Sequence, residues 1–129
     1  MDHLDSHQLS SLRARLEDER DGLRGRAGPP RGDEAELAPD TGDRQDAAAA
    51  EAARTLELRV AGHERARLEA VEAALARIAT GVYGVCEETG EPIPYARLAL
   101  EPTARYTVEA QELLEEEAAA EREEDPEPY

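Results

Sequence analysis

Phenylalanine, tryptophan and lysine are absent from this sequence, and cysteine occurs once, at Cys86. With four Tyr as the only aromatics, a large packed core is not expected. A single thiol excludes an internal disulfide. No stretch approaches the roughly 20 apolar residues of a membrane span, and the N-terminal residues carry no signal-peptide core. No membrane association and a cytoplasmic location are therefore expected. Cations are scarce as well: 15 Arg stand against 31 Asp and Glu, a formal charge of −16. Each nucleic-acid phosphate contact needs a Lys or Arg, so direct DNA binding is not expected. Basic protein surfaces are the better electrostatic match.

What is present reads as helix. Ala, Leu and Glu dominate, and 129 residues make one domain, or one small globular unit with an extended element. From Ser6 to about Arg26, Leu9, Leu12, Leu16 and Leu23 recur at helical spacing, a stripe wide enough for one partner helix. Gly25, Gly28, Pro29 and Pro30 break that helix. Asp40 or Thr41 is a plausible N-cap for a second helix running from about Asp43 to Thr80, about 57 Å at 1.5 Å per residue. Its first part, Ala47 to Ala53, is mostly Ala. Its later part carries Leu56, Val60, Leu68, Val71, Leu75 and Ile78, the last four spaced as in a coiled-coil seam. Run antiparallel, the first helix covers the C-terminal part of the second and leaves the Ala-rich part projecting. His63 is expected on the hairpin surface. His3 and His7 sit one turn apart, which could hold a metal on a helix face, but an exposed terminus is the preferred reading.

After Thr80 the pattern changes. Gly81-Val82-Tyr83-Gly84-Val85-Cys86 leads into a turn closed by Gly90 and returns through Glu91-Pro92-Ile93-Pro94. The spacing Cys86-x2-Thr89-x17-Thr107-x2-Ala110 is close to that of a four-cysteine zinc knuckle. Three of its ligand positions are filled by Thr89, Thr107 and Ala110. A hydroxyl is not a thiolate and Ala has no donor atom, so zinc is expected to be lost and no cofactor is expected. A structural zinc is worth roughly 10–16 kcal/mol, and burial of one Leu, Ile or Val roughly 1.5–3 kcal/mol. On that reckoning Val85, Ile93, Leu98, Leu100, Val108 and Leu113 offset most of the loss. Tyr95 to Leu100 makes a short helix. A last helix begins near Val108, and ten of the residues from Glu109 to Glu127 are acidic, which reads as a solvated face and a disordered tail.

The fold expected is mostly α: an antiparallel two-helix coiled-coil hairpin, a small zinc-finger-like end with a short β-hairpin, and a C-terminal helix. Its parts are residues 1–80 with a tip at about 27–43, residues 81–114, and an acidic end at 108–129. Over this layout Gly81, Tyr83, Gly84, Cys86, Gly90, Glu91, Ile93, Pro94, Arg97, Leu98, Pro102, Thr103, Ala104 and Gln111 fall at positions that resemble the DksA/TraR family, transcription factors that bind RNA polymerase rather than DNA. The resemblance spans about residues 9–114. It implies a tip that enters the polymerase secondary channel. The family's Asp-x-x-Asp-Arg-Ala tip pattern is matched by Asp40, Asp43 and Arg44, with Gln45 where Ala is expected. A monomeric, non-enzymatic regulator with RNA polymerase as partner is thus expected, since no nucleophile–base pair or phosphate loop is recognisable. The alternatives are an acidic coiled-coil adaptor that has kept the fold without polymerase, and a metal-binding protein using Cys86 with His3 and His7.

Overall fold

A computed structural model describes residues 1–26 and 44–124. Among these residues four helices follow in chain order: α1 over Ser6–Arg26, α2 over Arg44–Thr80, α3 over Tyr95–Leu100 and α4 over Val108–Glu124. The expected hairpin helices and the last helix are all present. The expected tip, 27–43, lies outside the described residues, and Asp40 and Asp43 with it.

α1 opens on a reciprocal cap. The Gln8 backbone N–H donates to Asp5 Oδ1 at 2.7 Å, and the Gln8 side-chain oxygen accepts from the Asp5 N–H at 3.1 Å. Two otherwise unpartnered backbone donors are satisfied this way. Leu12, Leu16 and Leu23 on α1 are buried, as are Val71, Ala74 and Ile78 on α2. Leu9, Leu68 and Leu75 pack at the edge of the same cluster. The helices run antiparallel, since Arg26 near the end of α1 pairs with Glu64 and Glu19 pairs with Arg67 farther along α2. α2 ends in a Schellman motif: the Gly81 N–H reaches Ile78 O at 3.2 Å and the Val82 N–H reaches Arg77 O at 3.0 Å. Gly81 takes φ +80°, the left-handed conformation that only Gly adopts without strain.

The segment after α2 folds back on itself. Cys86 N–H bonds Glu91 O and Ile93 N–H bonds Gly84 O, both at 2.8 Å. These bonds flank a single antiparallel bridge, Val85–Pro92, so the expected short hairpin is reduced to its minimum. Tyr83, Cys86, Ile93 and Leu98 are almost fully buried and join the hairpin leucines in one continuous core.

The N-terminal residues depart from the expected exposed terminus. Leu4 is buried in that core, and His3 Nε2 donates to Ile93 O at 2.7 Å. Gly84 makes the close approach possible: a Cβ there would lie 3.2 Å from His3 Cε1 and 3.3 Å from Leu4 Cδ1. The apolar list also needs correction. Ile93 and Leu98 are buried, but Leu100, Val108 and Leu113 are exposed by 87%, 46% and 58%. Leu100 follows Leu98 by two residues, about 200° around the helix, so both cannot face inward.

Candidate functional site

The four knuckle positions come together as the spacing predicts, though not as four ligands. Cys86 sits at the start of a turn that Gly90 closes, its N–H donating to Cys86 O at 2.8 Å. Thr107 precedes α4 and is buried. Its Oγ1 accepts the Ala110 N–H at 3.2 Å, which makes Thr107 the N-cap of that helix. The same hydroxyl donates to Cys86 Sγ at 3.9 Å. A hydroxyl can donate and accept at once, so Thr107 ties the sulfur to the first turn of α4. Ala110 is buried beside them, and Thr89 Oγ1 accepts the Glu91 N–H at 3.3 Å.

These contacts set the state of the thiol. Burial pushes Cys86 up, but hydrogen bonds from the Thr89 hydroxyl and from the Thr107, Thr89 and Glu88 backbones outweigh it, holding the thiol down at about 7. Such a sulfur is an inward-turned acceptor rather than an inert apolar filler. Across the knuckle, burial pushes Tyr83 up to about 12, and its hydroxyl donates to Pro102 O at 2.7 Å.

The outer surface of the knuckle is held by arginines. Arg105 grips both oxygens of Glu87, at 2.5 and 3.0 Å, and its guanidinium lies 5.3 Å from the Tyr106 ring centroid. The Arg105 hydrogen bonds hold Glu87 below the usual carboxylate range. Arg97 Nε donates to Tyr106 O at 2.9 Å, and Arg15 of α1 donates to Ala99 O at 2.7 Å. Arg67 of α2 bonds Glu19, Glu101 and Thr103 together. Sequence reasoning missed Arg67, the Thr107 cap and the N-terminal contact. Asp5-x-x-Gln8, and a Thr at 107 just ahead of the last helix, carried visible capping signals; an ion pair between residues far apart in sequence carries none.

Of the other candidates, Arg44 is the first residue of α2 and is exposed. His63 is exposed on the hairpin, as expected. His3 is engaged at Ile93 rather than paired with His7. Among the described residues no group of three or more His, Cys, Asp or Glu side chains is arranged to hold a metal. No helix among them is long and apolar enough to cross a membrane.

Residues 81–116 match the prokaryotic dksA/traR C4-type zinc finger. Over 70 residues, 54% of its length, the chain is 50% identical to the RNA polymerase-binding transcription factor DksA of Caulobacter vibrioides, covering 49% of that relative. It therefore spans about half the length of this curated relative. The solved structure of transcription factor DksA2 from Pseudomonas aeruginosa superposes with a TM-score of 0.71 at 37% identity, over 89% of this chain and 88% of that one. The structure of the RNA polymerase binding protein and transcriptional regulator Dks from Chlamydia trachomatis shares the fold at TM-score 0.54 and 23% identity, over 89% of this chain and 95% of that one.

The zinc finger match corrects the expectation of no cofactor: the family to which the knuckle belongs is described as a zinc-binding one. The apolar compensation reasoned for zinc loss is also only partly there, because Leu100, Val108 and Leu113 face outward. The donor set itself does not fit a C4 site. One thiol, two hydroxyls and a methyl occupy Cys86, Thr89, Thr107 and Ala110, and Thr107 Oγ1 is already committed to the Ala110 N–H and the sulfur. The helical hairpin, the single-bridge knuckle and a DksA2 likeness running almost the full length of both chains lead to one conclusion: the chain belongs to the DksA/TraR family.

Proposed function

We propose that this chain regulates transcription by docking on RNA polymerase and presenting its hairpin tip to the secondary channel. The observation that carries this reading is the shared architecture with DksA2, which covers hairpin and knuckle together. It is supported by the likeness to the Caulobacter relative, an RNA polymerase-binding transcription factor. It is supported also by the N-terminal half of α2, which continues past the end of α1 with Leu56, Leu58 and Val60 exposed. In this reading the knuckle and α4 anchor the protein, and Asp40, Asp43 and Arg44 act at the tip. The chain works as a monomer, performs no catalysis and does not bind DNA directly, since its charge of −16 opposes the phosphate backbone.

The test separates docking from action. In Asp40→Asn with Asp43→Asn, the effect on transcription in vitro is expected to vanish while affinity for the same polymerase changes little. Full activity of the double variant removes the two carboxylates from the mechanism. A parallel loss of binding makes the tip an anchor instead. Failure of the parent to bind polymerase at all leaves the adaptor reading.

A further inference from the structure

Arg67 lies 13 residues before the end of α2 at Thr80, about 20 Å along the helix from that end. Its Nε and Nη2 take both oxygens of Glu19 on α1, at 2.6 and 2.9 Å. Its Nη1 takes Glu101 Oε1 at 2.8 Å and Thr103 Oγ1 at 3.2 Å, both in the turn after α3. The Thr103 hydroxyl donates to the same Glu101 oxygen at 2.8 Å. One planar group therefore joins both hairpin helices to the far side of the knuckle.

The rest of the joint is an apolar core that Leu12, Leu16, Tyr83 and Leu98 share, with single hydrogen bonds from Arg15 to Ala99 O, His3 to Ile93 O and Arg77 to Thr103 O. Apolar contact is strong but non-directional, whereas a guanidinium held in plane by its bidentate pair with Glu19 offers Glu101 and Thr103 a directional, charge-assisted contact. We propose that Arg67 is a positioning residue, a brace that locks the orientation of the knuckle on the hairpin and so sets where the N-terminal end of α2 points. From Arg67 to Arg44 the helix runs for about 35 Å, so a rotation of about 10° at the joint swings its end by about 6 Å. The brace itself stands on geometry alone. Its consequence for the tip rests on the polymerase reading.

Side chains of Arg67, Glu19 and Glu101 are exposed by 34%, 35% and 45%, and ion pairs that wet contribute little to stability. Orientation can thus be perturbed without unfolding the protein. The test uses backbone N–H residual dipolar couplings of the full chain, free in solution. In the parent, couplings from residues 63–80 and 82–107 are expected to fit one alignment tensor. In Arg67→Gln the single-tensor fit is lost, and the knuckle shows lower order relative to the hairpin. Glu101→Ala, which leaves the Arg67–Glu19 pair intact, gives the same loss. Glu101→Gln keeps an acceptor for Arg67 and restores part of the fit, which a merely stabilising role would not produce. One tensor in the parent orientation for Arg67→Gln overturns the proposal. Should that variant not fold, the same result for Glu101→Ala overturns it. Polymerase is absent from the experiment, so failure here leaves the functional reading standing, and failure there leaves the brace.

Discussion

The two halves of α2 belong to one continuous helix and meet opposite surroundings. In the C-terminal half Val71, Ala74 and Ile78 are buried, with Leu68 and Leu75 beside them. In the N-terminal half Leu56, Leu58 and Val60 are exposed by 61%, 70% and 47%. Both halves carry apolar side chains, so hydrophobicity does not separate them; among the described residues the reach of α1 does. α1 ends at Arg26, level with Glu64 at 3.6 Å, and residues 44–63 extend about 30 Å beyond that point. Arg44, Arg54 and Arg59 there balance Asp46, Glu51 and Glu57, whereas α4 carries eight Glu and one Arg. The difference teaches that a helix is buried where a neighbour runs alongside it. The Ala-rich stretch 47–53 is favoured as helix by composition, because Ala has the best intrinsic propensity.

The comparison can be broken by matched truncations. Leu12→Ala, at a fully buried site, is expected to cost about 2–5 kcal/mol in urea unfolding. Leu56→Ala should stay within about 0.5 kcal/mol, and equal losses would erase the distinction between the halves. Next in size, Tyr83→Phe leaves Pro102 O without its donor, a cost of about 1–3 kcal/mol read in the same titration. Thr107→Ala removes the α4 cap at about 0.5–2 kcal/mol. It lowers far-UV helicity, and Thr107→Ser recovers most of it. The smallest effect is on pH. The Arg105 hydrogen bonds depress Glu87; at Glu101 burial pushes the carboxyl up but the Arg67 and Thr103 hydrogen bonds outweigh it. Groups with depressed folded values stabilise fully above the unfolded carboxylate value of 4.5 and lose that contribution as pH falls through the folded value. Because both are well exposed, the total should stay below about 1 kcal/mol. Glu87→Gln with Glu101→Gln should flatten the acid limb of a melting-temperature profile, and an unchanged limb would remove both pairs from the balance.

Much of the fold was legible because it is periodic. Leu9, Leu12, Leu16 and Leu23 gave α1 its span, and Val108 gave α4 its start. The knuckle was legible because turn residues stand at fixed offsets: Gly81, Gly84 and Gly90 all take positive φ. Side-chain direction in short elements was harder to read. α3 has six residues, too few for a stripe to declare its inward face, and Leu100 was assigned inward on composition alone. The compensation reckoned for zinc loss erred for a related reason, since it counted apolar residues without knowing which faces they occupied. Arg67 and His3 were invisible because their partners are distant in sequence, and local pattern carries no information about such pairs.

The contact between His3 and Ile93 joins residues 90 apart, and this orders events during synthesis. At roughly 5–20 residues per second, a ribosome takes roughly 5–20 s to reach Ile93 after His3. Until residues 68–78 of α2 follow, α1 lacks the packed face from which a helix in a protein draws most of its stability. Its seam partners on α2 arrive first and the knuckle arrives last. His3 and Leu4, made long before the knuckle, are therefore secured only once it has been made.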